Sequence, residues 1–178
     1  MCAIYKPIQI MLIAMVIGSI YGVLHDQFTY TICTEYYTKF KFYQFGIFHL
    51  DHPIQLKHPR MWVSLIGILS TWWFGLMLGL FIGIVDLFYN PKKSTLNLSL
   101  KAIGINLFIA LFTGLIGLIY AKYFLKETPL NWNIPHTVVD VRRFVAVGTM
   151  HNFSYIGGGI GLVVAMIYKI RQLRKNER

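Results

Sequence analysis

Four apolar runs, at about residues 8–24, 61–89, 98–125 and 144–168, decide what this chain can fold into. Each approaches or exceeds the length that crosses a ~30 Å hydrocarbon layer at ~1.5 Å rise per residue. A backbone in lipid must also satisfy its hydrogen bonds within itself, which favours helices. The expected fold class is an all-α membrane protein with four transmembrane helices in one integral membrane domain over residues 1–178. Of the 178 residues 56% are hydrophobic and 13% charged, which leaves no sizeable soluble segment between the runs.

That setting changes how the net charge of +10 is read. In a membrane protein Lys and Arg gather at helix ends as topology signals and headgroup anchors, so the expected partner is the lipid bilayer and not nucleic acid. With both termini inside, the inner side holds Lys6, Lys92, Lys93, Lys101 and a basic tail of Lys169, Arg171, Arg174, Lys175 and Arg178. The tail reads as a cytoplasmic anchor. The outer side then receives Lys39, Lys41, Lys57, Arg60, Lys122, Lys126, Arg142 and Arg143, many of them near acids. The compactness of the inner groups favours cytoplasmic termini. Cys2 and Cys33 fall on opposite sides in this topology, in no metal or redox spacing, so no disulfide is expected.

The first run, with Lys6 and Pro7 before it, also has the outline of a signal peptide. It lacks a convincing small-x-small cleavage site, and Gly18 and Gly22 form the G-x-x-x-G spacing of closely packed membrane helices, so a retained helix is expected. Gly75, Gly79 and Gly83 offer a similar face in the second run, and Trp72 and Trp73 are expected to pack against other helices at mid-span. Between the two runs lies an aromatic-rich stretch, Glu35 to Gly46, in which Thr38 to Phe42 alternates at the period of a strand. It predicts a strand pair or an irregular cap on the outer membrane surface. Pro53 and Pro59 break the chain before the second run, and Trp132 suits an interface anchor before the last.

The last run, entered through Pro135, carries a polar stripe at helical spacing: His136, Asp140, Arg143, His151 and Ser154, ending in Gly158 and Gly161. A lipid-facing helix has no use for such a stripe, so it is expected to face protein, with Asn152 and Tyr155 beside it. All six histidines fall on the outer half in this topology. The candidate metal set is His25, Asp26, Glu35 and His151, and imidazole with carboxylate suits a transition metal such as zinc or copper. Asp26, Glu35, Tyr36 or Tyr155 can alternatively partner His151 as interhelical glue. His136 and Asp140, one turn apart, form a second pair about 16 Å from His151 along the axis, too far to share an ion with it. His49 and His52 flank Asp51 in a weaker loop pair.

Other chemistries find less support. Gly157 to Gly161 follows no strand and leads to no Gly-Lys-Ser/Thr, so it is a packing segment and not a phosphate loop. Ser154 has His151 three residues earlier on its own helix but no evident orienting acid or oxyanion hole, which argues against a serine nucleophile. The phrases His25-Asp26-Gln27, Glu35 to Phe42 and His151 to Gly158 resemble those of uncharacterised small bacterial multi-pass membrane proteins. The resemblance implies a bacterial inner membrane and assigns no role to any residue. The functional expectation is a non-enzymatic accessory subunit or a small oligomeric transport component, within a homo-oligomer or larger complex. The alternative is a membrane enzyme or metal-handling protein with an outer His/Asp/Glu site.

Overall fold

A computed structural model of the chain describes residues 2–47, 57–89, 95–125 and 132–175. The loop histidines His49 and His52 with Asp51, Pro53, Lys92, Lys93, Lys126 and Arg178 lie outside the described residues. Four long helices make the fold: α1 (Cys2–Ile32), α2 (Pro59–Phe88), α3 (Leu96–Phe124) and α4 (Val141–Lys175). All four are long and apolar enough to cross a membrane.

Local chemistry sets their starts. Pro59 opens α2, where its missing N–H costs nothing. The Thr95 hydroxyl accepts from Leu98 N at 3.2 Å to cap α3. Asp140 does the same for α4, its Oδ1 accepting from Arg143 N at 2.9 Å. The 31-residue α1 outruns its expected end at Leu24 by two turns. Phe28, Tyr30 and Ile32 keep the stretch apolar, and Thr29 Oγ1 bonds back to the His25 and Asp26 carbonyls at 3.0 and 3.2 Å. His25 and Asp26 therefore sit inside a helix and not at a loop mouth.

The helices form two tight antiparallel pairs, α1 with α2 and α3 with α4, each built on small residues as their spacing predicts. A Cβ placed on Gly67 meets the Gly22 carbonyl oxygen at 2.6 Å, and one on Gly75 meets the Ala14 carbonyl oxygen at 2.5 Å. In the other pair a Cβ on Gly157 meets Ala110 Cα at 3.0 Å, and one on Gly161 meets Asn106 Nδ2 at 2.8 Å. Gly104 and Gly159 have open space instead. Gly67→Val is thus expected to wedge the first pair apart at a cost of about 1–3 kcal/mol, with Gly104→Leu neutral; thermal unfolding in detergent compares them.

Contact between the two pairs is sparser and is locked at one end by a buried ion pair. Lys169 is fully buried, donates to the Ile82 carbonyl and Ser99 Oγ at 2.9 Å each, and lies 2.7 Å from Asp86 Oδ1. This corrects its reading as part of a surface anchor: Lys169 points into the bundle and joins α2, α3 and α4.

At the opposite end the aromatic stretch is a cap, and it is helical. Short α turns at Thr34–Tyr36 and Phe42–Gln44 flank a π turn at Tyr37–Lys41, so the expected strand pair is absent among the described residues. Burial explains the difference. Tyr36, Tyr37 and Phe42 all turn inward onto Tyr30, Val63, Ile66, Phe144 and Val147, which a strand alternating between two faces could not achieve. Lys41 is buried with them over the Tyr36 and Phe45 rings, and desolvation pushes its ammonium pKa down.

The tryptophans take two different settings. Trp132 lies over Gly148 of α4, whose missing side chain makes room for the ring. Trp72 and Trp73 are 43% and 50% exposed, so they face outward in large part.

Candidate metal centre

Beneath the cap, α1 and α4 bring His25, Asp26 and His151 together, all buried. One ligand atom from each lies within 4.8 Å of the others. Asp26 Oδ1 is 3.2 Å from His151 Nε2 and 3.4 Å from His25 Nδ1. The two rings meet edge to face with centroids 4.7 Å apart, and Tyr36 of the cap stacks over His151 at 5.1 Å.

The outer nitrogen of each imidazole is also occupied. His151 Nδ1 donates to the Val147 carbonyl at 2.9 Å, one turn back along α4. His25 Nε2 is 3.2 Å from Ser154 Oγ. A carbonyl can only accept, so Nδ1 of His151 carries a proton and Nε2 is left to meet the carboxylate.

Glu35, expected in this set, is elsewhere. Its carboxylate pairs with Lys39 and accepts from Asp140 N at 2.8 Å and Val139 N at 3.1 Å. There it ties the cap to the start of α4, where free N–H groups favour an anion. The hydrogen bonds from Lys39 and the Asp140 backbone hold its pKa down at about 2, against 4.5 for a free side chain. A depressed carboxylate stabilises the fold fully above pH 4.5 and progressively less as pH falls toward 2. Wild-type thermal stability should therefore drop between pH 5 and pH 2.5 by more than that of Glu35→Gln, which should already be lowered at neutral pH.

The stripe on the last run is only partly assembled. His151 and Ser154 face the interior, with Gly158 and Gly161 below them. Asn152 is exposed and Tyr155 is 53% exposed, at the edge of the interior face. His136 is exposed in a turn, and Asp140 precedes the helix as its cap, so these two share no helical face. The reason is local: Val138 N bonds the Pro135 carbonyl at 3.0 Å, a turn that delays the helix to Val141.

Sequence reasoning missed one pairing, that of Ser154, and two lining residues. Ser154 pairs with His25 across helices and not with His151, and Asp26 supplies the orienting acid that seemed to be lacking. A Ser154–His25–Asp26 series therefore exists, although the backbone N–H groups around Ser154 belong to the α4 ladder and form no oxyanion hole. Tyr21 and Asn106 are the two lining residues. They line a cavity of about 370 Å³ that runs from the histidines into the middle of the bundle. The Tyr21 hydroxyl, Asp26 Oδ2 and Asn106 Oδ1 are buried without a hydrogen-bond partner among the described residues. Tyr21 stands one helical turn before His25 on α1.

The chain matches no family model, no curated protein and no solved structure, so the chemistry of the site rests on its own geometry.

Proposed function

We propose that this chain is a membrane-embedded metalloenzyme in which His25, Asp26 and His151 hold one zinc-class ion, with an open position toward the cavity. The observation that carries this reading is the orientation of His151. With its proton on Nδ1, a neutral ring presents the Nε2 lone pair to a carboxylate oxygen 3.2 Å away, and two acceptors repel. An ion between them removes the conflict. Two ligands at about 2.0–2.1 Å from a tetrahedral ion stand about 3.3 Å apart, the spacing both imidazoles keep from Asp26 Oδ1. A proton on Nε2 is the other answer to this conflict, and His25 has none, since its Nδ1–H can donate to Asp26 while Nε2 accepts from the Ser154 hydroxyl; an ion leaves each ring its outer hydrogen bond, as metal-bound histidines have.

Two histidines and a carboxylate form a catalytic zinc set when a fourth position stays open, and such an ion supplies Lewis acidity to a bound water or substrate oxygen. Hydrolysis of an ester or amide is the matching reaction class. The protein's own part is to fix the two rings through Val147 and Ser154, exclude bulk water beneath the cap, and present the Tyr21 hydroxyl to the reacting group.

The distribution of basic residues and the resemblance of the His25 and His151 phrases support a bacterial inner membrane, cytoplasmic termini and an outer cap. The competing reading is an accessory subunit whose histidines are glue. Titrating metal-stripped protein with Co²⁺ separates the two. Visible absorption of four-coordinate intensity, saturating at one ion per chain and absent in Asp26→Asn, is expected; a featureless titration of folded protein supports the glue.

A further inference from the structure

The cavity below the histidines opens sideways. Of its wall residues, Trp73 of α2 and Tyr155 and Gly159 of α4 are exposed on the helix surfaces, and the opening is read there. Trp73 stands midway along α2 and Gly159 almost midway along α4. Midway along a membrane-crossing helix, the surrounding medium is hydrocarbon and not water. Toward the cap, by contrast, the centre is roofed by rings: Tyr36 stacks on His151, and Tyr37 and Phe42 are fully buried behind it.

The depth of the cavity, its polar upper end and its apolar walls fit one kind of molecule. From His151 to Gly158, where Asn106 donates Nδ2 to the carbonyl at 2.8 Å, the axis advances about 10 Å. Between these levels the walls are largely apolar, with Phe74, Leu78, Leu107 and Ala110 among them. At the far level the unpartnered Asn106 Oδ1, on a fully buried side chain, offers an acceptor to a hydroxyl or amide N–H. A volume of 370 Å³ holds about a dozen non-hydrogen atoms at the ~30 Å³ of a liquid water, enough for a head group and the first part of a chain.

We propose that the cavity takes a single-chain acyl amphiphile directly from the bilayer, its polar head at His25, Asp26 and His151 and its chain leaving between Trp73 and Tyr155. This rests on the metal reading and names its substrate class. A water-soluble substrate entering through the cap is the alternative that the roof of rings argues against.

The test compares two zinc-chelating probes, dodecanohydroxamic acid and acetohydroxamic acid, on zinc-loaded protein at one fixed detergent concentration, with bound metal measured on the same sample. The variant is Gly159→Phe: a side chain there enters open space, so the fold tolerates it, and it adds bulk at an exposed residue of the cavity wall. The long-chain probe is expected to bind wild type at least a hundredfold more tightly than the short one. Gly159→Phe should remove at least tenfold of that advantage and leave acetohydroxamate affinity unchanged. Reading both proteins in the same micelles cancels partition of the probe. Equal affinity of the two probes for metal-loaded wild type, or equal weakening of both by Gly159→Phe, overturns the lateral route and leaves the metal centre standing. Failure of both probes on protein that retains no metal overturns the metal reading and this inference with it.

Discussion

Lys169→Met should destabilise the bundle by about 3–5 kcal/mol, the cost of leaving one partner of a buried ion pair uncompensated. Against total stabilities of ~5–15 kcal/mol this is enough to unfold a large fraction of the protein on mild heating. The basis is geometric. The Lys169 ammonium donates to Ser99 Oγ and the Ile82 carbonyl and lies 2.7 Å from Asp86 Oδ1, so a single side chain joins α2, α3 and α4 across the sparse contact between the two helix pairs. Removing the pair whole, as Asp86→Leu with Lys169→Met, should recover most of the loss, since apolar replacements of buried pairs are often neutral. Thermal or denaturant unfolding of the two singles and the double measures this. A Lys169→Met protein that melts with wild type contradicts the lock.

The second large effect belongs to the centre. His151→Ala removes one of three ligands and should abolish stoichiometric metal binding, with the helical content of the protein retained. Ser154→Ala should be milder: it deletes the hydrogen bond that orients His25 and should weaken metal affinity about 10–100-fold. The pairing of outcomes is informative. If Ser154 were a nucleophile, Ser154→Ala would abolish activity at full metal loading, whereas a positioning role lets excess metal rescue it.

Much of this architecture is legible in the chain. The four runs are long and apolar, and lipid leaves a backbone few alternatives to helix, so the spans appear close to where hydropathy places them. The glycine faces are equally readable, because only a missing side chain permits the approach of Gly22 to Gly67 or of Gly157 to Ala110. Period misled in the cap. Alternation at Thr38 to Phe42 suggested a strand, but a segment with a core on one side only buries its rings by coiling, and tertiary packing overrode the local pattern.

The site was half visible for a related reason. His25, Asp26 and His151 stand out as polar groups in apolar surroundings, which marks them wherever they fall. Glu35 did not belong with them, because the open N–H groups at Val139 and Asp140 are a stronger claim on a nearby carboxylate than a site deeper in the bundle. Asn106 and Tyr21 were not joined to them. Their relevance depends on which helices pair and how far the pairs splay, and spacing along one helix carries no information about that. Lys169 was misassigned on similar grounds: neighbouring charges suggested a tail, while the register of α4 turns this one residue inward.

The most direct test of the account is the metal content of protein purified in detergent, measured by plasma mass spectrometry for wild type beside His25→Ala, Asp26→Ala and His151→Ala. Close to one zinc-class ion per wild-type chain, lost in all three folded variants, is the predicted result. A folded wild type that carries no transition metal and takes none up on incubation with zinc would contradict the account and return the three residues to the role of interhelical contacts.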